Sequence, residues 1–131
     1  MLDTQYRMHP SISEFPSDIV YGGKLRDGID ASVRPVPAGF PWPNKNIPVA
    51  IFPVSGQESR EALSYYNAAE ADQVCWALER LVDAGFEVED IGVISGYAAQ
   101  VRYLRRMLRS KTASPLRSVE VSTVDGFQGR E

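Results

Sequence analysis

One cysteine, Cys75, and one histidine, His9, stand in a chain of 131 residues. A lone thiol excludes an internal disulfide, and one Cys with one His cannot complete a structural zinc site. No apolar run approaches the roughly 20 residues that a membrane-spanning helix needs. The amino terminus also lacks the basic segment and apolar core of a secretory signal. These absences favour an intracellular protein, of nucleus or cytoplasm. No Gly-x-x-x-x-Gly-Lys-Ser/Thr pattern occurs, and no acidic strand end suits a partner metal. The phosphate cradle and magnesium site of phosphoryl transfer are therefore not expected in this stretch. Cations are not in excess either: the net charge of −3 argues against a general polyanion binder.

What is present is the composition of one soluble domain with a real core. Charge is unevenly placed. Residues 58–90 carry nine acids against two Arg, and residues 100–131 carry seven Lys or Arg against three acids. Segments of opposite sign predict an acidic solvated face and a basic face able to meet phosphates. The plainer reading is two solvated helices that differ in charge.

The carboxyl-terminal stretch, VEVSTVDGFQGRE (residues 119–131), organises the rest. Val119, Val121 and Thr123 alternate as in a buried strand. Asp125-Gly126 then predicts a turn, followed by Gln128, Gly129, Arg130 and Glu131. A strand running into a small-residue turn rich in donors and acceptors is how α/β folds present groups at the carboxyl ends of their strands.

Earlier elements follow from periodicity and punctuation. Residues 1–10 read as extended and then turning, because His9 precedes Pro10. Tyr6 and Arg7 on that loop pair a ring able to stack with a fork able to bind phosphate. By composition alone, a packed Tyr beside a surface Arg is the simpler account. His9, without a visible partner, reads as structural. Ser11 to Val20 begins a helix with Ser11 or Ser13 as cap and Glu14 placed for a capping box, interrupted by Pro16. Ile12, Phe15, Ile19 and Tyr21 are its apolar anchors, and Gly22-Gly23 ends it.

Residues 26–48 hold Gly28, Gly39 and five prolines, a long loop that Phe40 and Trp42 would pin. VAIFPV (49–54) reads as a buried strand ending at Pro53, and residues 55–64 as a polar connection. Asn67 with Glu70 fits a capping box for a helix to about Ala84, closed by Gly85. Its inward stripe is Ala71, Val74, Cys75, Leu78, Leu81 and Val82. Ile91 to Ser95 is the next buried strand, and a helix from Ala98 to about Arg109 faces Val101, Leu104, Met107 and Leu108 inward. Tyr97 and Gln100 stand at its start, where free amides favour an anion. Strand, helix, strand, helix, strand with right-handed crossovers predicts an α/β fold with a parallel sheet flanked by helices.

Three segments carry a resemblance. STVDGFQGRE (122–131) resembles motif V of superfamily 1 helicases, in the subgroup containing senataxin and the nonsense-mediated-decay helicase. QYRMHP (5–10) is similar to that family's signature at the start of its second RecA-like domain, and IGVISGYAAQ (91–100) to the motif between them. They occur in the family's order and bracket nearly the whole chain.

The resemblance implies an incomplete second RecA-like domain of the P-loop NTPase type. Residues 1–25 would be its leading segment, 26–48 a variable loop and 49–131 the α/β core. It also implies ATP as ligand, with Tyr6 on adenine, Arg7 at the γ-phosphate as the catalytic arginine, and Gly129 and Glu131 at the nucleotide. Ser95, Tyr97, Gln100, Ser122 and Thr123 would touch single-stranded RNA or DNA, and Asp125 and Gln128 would couple the two ligands. Where the family usually has proline, this chain has Gly96. Mg2+ and the phosphate loop would belong to the first RecA-like domain, and an arginine finger to the segment past Glu131, so this chain alone is not expected to hydrolyse ATP. The other reading is a helicase-like module without motor activity, kept for nucleic-acid binding or scaffolding.

Overall fold

A computed structural model describes residues 3–129. The chain divides into two compact units, residues 1–51 and 52–131. In the first, strand β1 (Thr4–Gln5) pairs in parallel with β2 (Arg26–Asp27) across helix α1 (Pro10–Tyr21). The cap of α1 is His9, not Ser11 or Ser13 as expected. Its Nδ1 accepts the Ser11 amide at 3.1 Å, and Pro10 takes the first helical position, where no amide is missed. Pro16 does not interrupt the helix, which runs on to a left-handed Gly22 at φ +59°. With both ends held, the single bond that proline removes is tolerated.

The face of α1 that turns inward is serine-rich, which overturns the expected apolar anchoring. Ser13 donates to Asp27 and Ser17 to the Leu25 carbonyl, whereas Phe15 and Ile19 are 73% and 71% exposed. The proline loop does pin itself. Trp42 Nε1 donates to the Pro37 carbonyl at 2.7 Å, and its ring lies 4.6 Å from that of Phe40.

In the second unit, β3 (Glu58–Glu61) and β4 (Ser64–Asn67) form an antiparallel hairpin where a polar connection was expected. Helix α2 (Ala68–Asp83) follows directly, capped by Asn67 Oδ1 accepting the Glu70 amide at 3.3 Å. Its end is a Schellman turn: Phe86 N donates to Leu81 O, Gly85 N donates to Val82 O, and Gly85 sits at φ +92°. Strand β5 (Gly92–Ser95) and β6 (Glu120–Thr123) are parallel neighbours, with helix α3 (Ala98–Ser110) crossing between them. A single helical turn, α4 (Val124–Phe127), ends the described chain.

Residues 49–54 are the clearest correction. They form no strand, and Ile51 is 85% exposed. An apolar run becomes a strand only when another edge pairs with it. Prolines 48 and 53 bracket this one, and no ladder includes it. The core lies instead between α2, α3 and β6, where Leu104, Leu108, Leu78, Cys75, Val101 and Val121 are buried. Trp76, off the α2 stripe, meets Phe52 edge-on at 5.4 Å. No helix among the described residues is long and apolar enough to cross a membrane.

Candidate nucleotide and nucleic-acid surfaces

The first candidate surface is the loop after β1. Gln5 holds it from within: Oε1 accepts the Arg7 and Met8 amides at 2.9 and 2.7 Å, while Nε2 donates to the Met8 carbonyl and to Asp27 Oδ1. Asp27 also accepts from Ser13 Oγ at 2.5 Å. These bonds, Ser13's first and Gln5's second, hold the Asp27 carboxyl below the usual carboxylate range. Pinned this way, the loop presents adjacent Tyr6 and Arg7, with Tyr6 65% exposed. His9 is buried and serves as the helix cap, the structural role expected of it.

The second surface is the carboxyl end of the β5–β6 pair. Its register sets Ile94 beside Ser122 and Ser95 beside Thr123. Two hydroxyl residues therefore share one strand end, each half-buried. Both hydroxyls also serve the backbone. Ser95 Oγ accepts the Tyr97 amide at 3.2 Å, and Thr123 Oγ1 accepts the Gly126 amide at 3.3 Å, capping α4. The expected Asp125-Gly126 turn is thus one helical turn, with Asp125 and Gln128 exposed on it. Gly129 follows at φ +79°, a conformation that favours glycine. Arg130 and Glu131 lie outside the described residues.

Two glycines let the segment after β6 pack back along the strand pair. A Cβ on Gly92 would stand 2.8 Å from Phe127 Cε1, and one on Gly126 would overlap Ser122 Oγ. The turn after β6 folds back against the first residue of β5 because neither position carries a side chain.

Tyr97 stands at the start of α3, 55% exposed, its ring edge-on to that of Tyr65 at 6.4 Å. Gln100 is a correction. It is buried, and its amide is already engaged with the main chain of Asn67, accepting from N–H and donating to C=O. A ligand-facing Gln would need that amide turned outward. The α3 start is also partly occupied, since the Ala99 amide donates to Ser64 Oγ at 3.1 Å. Sequence reasoning had treated Ser64 and Asn67 as connection and cap. Their second task depends on a hairpin that carried no turn signal.

The expected basic face is partly neutralised within the unit. Arg102 and Arg106 pair with Glu61 at 2.7 and 3.3 Å, and the Arg102 bond first among these causes lowers the Glu61 pKa. Arg105 donates twice to the Val121 carbonyl. Lys111 binds Glu79 at 2.5 Å, which raises the lysine pKa. Burial raises the Cys75 thiol, as suits a core residue, and its Sγ lies 3.0 Å from Met107 Sδ. Among the described residues no three His, Cys, Asp or Glu gather as a metal site.

A parallel strand pair with hydroxyls at its carboxyl end, helices flanking it and a glycine-dependent turn is the architecture of a RecA-like domain fragment. A family model described as an AAA domain matches residues 1–131. The chain belongs to the AAA domain family. This AAA domain is 37% identical over 135 residues to the Drosophila melanogaster protein named regulator of nonsense transcripts 1 homolog, covering 99% of this chain and 11% of that protein. Against the Neurospora crassa protein of the same name, identity is 40% over 136 residues, with 99% and 12% covered. Against the Saccharomyces cerevisiae ATP-dependent helicase NAM7 it is 38% over 136 residues, with 99% and 14% covered. The AAA domain thus spans 11–14% of the length of these curated relatives.

Proposed function

We propose that this AAA domain is part of an ATP-dependent helicase of superfamily 1, in the subgroup of senataxin and the nonsense-mediated-decay helicase. It would supply the second RecA-like wall of an ATP cleft and half of a track for single-stranded RNA or DNA. Similarity over 99% of this chain to a protein named as an ATP-dependent helicase supports the coarse reading. The observation that carries the finer one is the β5–β6 register, which brings Ser95 and Thr123 to one strand end beside the segment leading to Gly129.

In this proposal Tyr6 stacks on adenine, and Arg7 compensates charge at the γ-phosphate as the catalytic arginine. Gly129 and Glu131 meet the nucleotide. Ser95, Tyr97, Ser122 and Thr123 meet the nucleic-acid backbone, while Asp125 and Gln128 link the two. Gln100 acts one step behind, by holding the start of α3. ATP supplies the phosphoanhydride whose cleavage resets the cleft. Mg2+ would be held by the first RecA-like domain, this domain's partner, as the resemblance implies.

The test uses the ATP-hydrolysing protein that carries this domain. Tyr6→Ala is expected to weaken ATP binding, and Arg7→Ala chiefly to slow hydrolysis. Ser95→Ala with Thr123→Ala is expected to weaken single-stranded nucleic-acid binding. Unchanged nucleotide and nucleic-acid titrations in all of them would overturn the proposal.

A further inference from the structure

Tyr6 does not stand alone on its loop. The parallel register sets Gln5 beside Asp27, and the Gly28 amide donates to the Gln5 carbonyl at 2.8 Å. The next residue on each strand is therefore its neighbour's counterpart, and Tyr6 lies against Gly28. A Cβ on Gly28 would overlap Cε1 of the Tyr6 ring and lie 2.6 Å from both Cδ1 and Cζ. So short a distance to both ring neighbours of Cε1 fits a point above the ring face, because a point beyond the ring edge would lie farther from both. The φ of Gly28 is outside the left-handed region, so the backbone there does not itself require glycine. The ring does.

We propose that Gly28 is a positioning residue for the nucleotide: its bare backbone seats one face of the Tyr6 ring and leaves the other face to stack on a purine base. The inference rests on the reading of Tyr6 as the base-stacking residue. A tyrosine 65% exposed on a flexible stem would otherwise lose rotamer freedom each time a base arrived. The Gly28 seat removes part of that cost in advance. Behind it, the Gln5–Asp27–Ser13 bonds fix the two strands, so the seat and the ring stay in register. The three atoms nearest to a Cβ at residue 28 all belong to the movable ring of Tyr6. A side chain there should swing the ring aside without disturbing the strands.

The experiment is Gly28→Ala in the ATP-hydrolysing protein that carries this domain, beside Tyr6→Ala and the double variant. Stacking of a base on an aromatic side chain is worth about 1–3 kcal/mol, or roughly 5- to 150-fold. Gly28→Ala is expected to raise KM for ATP on the order of tenfold, within that range, and to leave kcat and the melting temperature close to the parent's. The preference for ATP over UTP should narrow, because the purine has the larger stacking face. The double variant should bind ATP no more weakly than Tyr6→Ala, since Gly28 acts through the ring. It also contains no clash, which keeps the test open should the single variant fold poorly. A KM unchanged by Gly28→Ala but raised by Tyr6→Ala would overturn the role of Gly28 and leave Tyr6 standing. A KM unchanged by Tyr6→Ala would overturn the stacking reading itself. Additive losses in the double variant, with a lower melting temperature, would make Gly28 a folding residue only.

Discussion

Gln100 binds Asn67 twice through the same residue's main chain, accepting its N–H at 2.7 Å and donating to its C=O at 3.1 Å. The side-chain amide replaces a neighbouring strand at the point where β4 passes into α2. Asn67 meanwhile caps α2 with its own side chain and reaches the Gly56 carbonyl. One buried pair thereby joins the hairpin, α2 and α3.

Gln100→Ala would leave the Asn67 N–H buried without its partner, at about 1–3 kcal/mol, while the Asn67 C=O keeps the first bond of α2. The expected result is a lower denaturation midpoint for the 131-residue chain. In the proposed helicase that would carry it, nucleic-acid affinity should stay unchanged once corrected for the folded fraction. Weaker binding at an unchanged midpoint would instead restore Gln100 to the ligand surface.

That pair marks how far the sequence can be read. Helix α2 was legible because its cap, stripe and closing Gly85 agree, and α3 and β6 because each obeys one period. Residues of β5 were legible as a strand, but β5 is not buried as expected, since Ile94 is 55% exposed. The β3–β4 hairpin was not legible. Its turn uses Ala62 at φ +55° with Leu63, where asparagine or glycine would have announced it. Residues 49–54 misled in the opposite direction, since local hydrophobicity cannot show whether a partner strand exists. At the site, residue types were legible and their commitments were not. A glutamine at a helix start looks the same whether it faces a phosphate or a main chain 33 residues away.

Asp27 gives the first unit a pH dependence. Its folded pKa is depressed, so the stabilisation it provides is complete above the ordinary carboxylate range and is lost as pH falls through the lowered folded value. Amide exchange in α1 should be insensitive to pH-linked opening near neutrality. It should show progressive loss of protection below about pH 4, the unperturbed aspartate range. Asp27→Asn should flatten that acid limb. An equally steep limb in the variant would assign the dependence elsewhere.

Two glycines of the candidate track should respond oppositely. Gly126 has Ser122 Oγ where a Cβ would go, whereas Gly96 has nothing within 4 Å. Gly126→Ala should lower stability by about 1–3 kcal/mol through overpacking and displace the Ser122 hydroxyl. Gly96→Ala should be close to neutral. Chemical denaturation of the two variants checks this, and equal effects would contradict the close packing of the turn after β6.

The isolated 131-residue chain should show no ATP turnover above background, with or without nucleic acid. It carries no phosphate-loop pattern, and its described residues gather no metal site. Turnover that co-purifies with the chain and disappears in Arg7→Ala would overturn the assignment of hydrolysis to two domains.

Coupling is the sharpest demand on the segment after β6. Thr123 lies at the strand end beside Ser95, and six residues later stands Gly129, itself one of the proposed nucleotide contacts. A short segment touching both ligands must move when either is bound, and the effect must be reciprocal. Thr123 also caps α4, so Thr123→Ala combines two losses, a cap worth about 0.5–2 kcal/mol and a possible phosphate contact worth about 0.5–1.5 kcal/mol. Thr123→Ser separates them from a β-branch effect, because it keeps the hydroxyl and removes only a methyl group. In the proposed helicase, Thr123→Ala should weaken nucleic-acid binding and its stimulation of turnover, while basal turnover persists and Thr123→Ser stays near the parent. Glu131→Ala should do the converse, impairing nucleotide use while nucleic-acid binding without nucleotide persists. If Thr123→Ala lowers binding, basal turnover and melting temperature in proportion, the hydroxyl serves the fold through its bond to Gly126 and the coupling role falls.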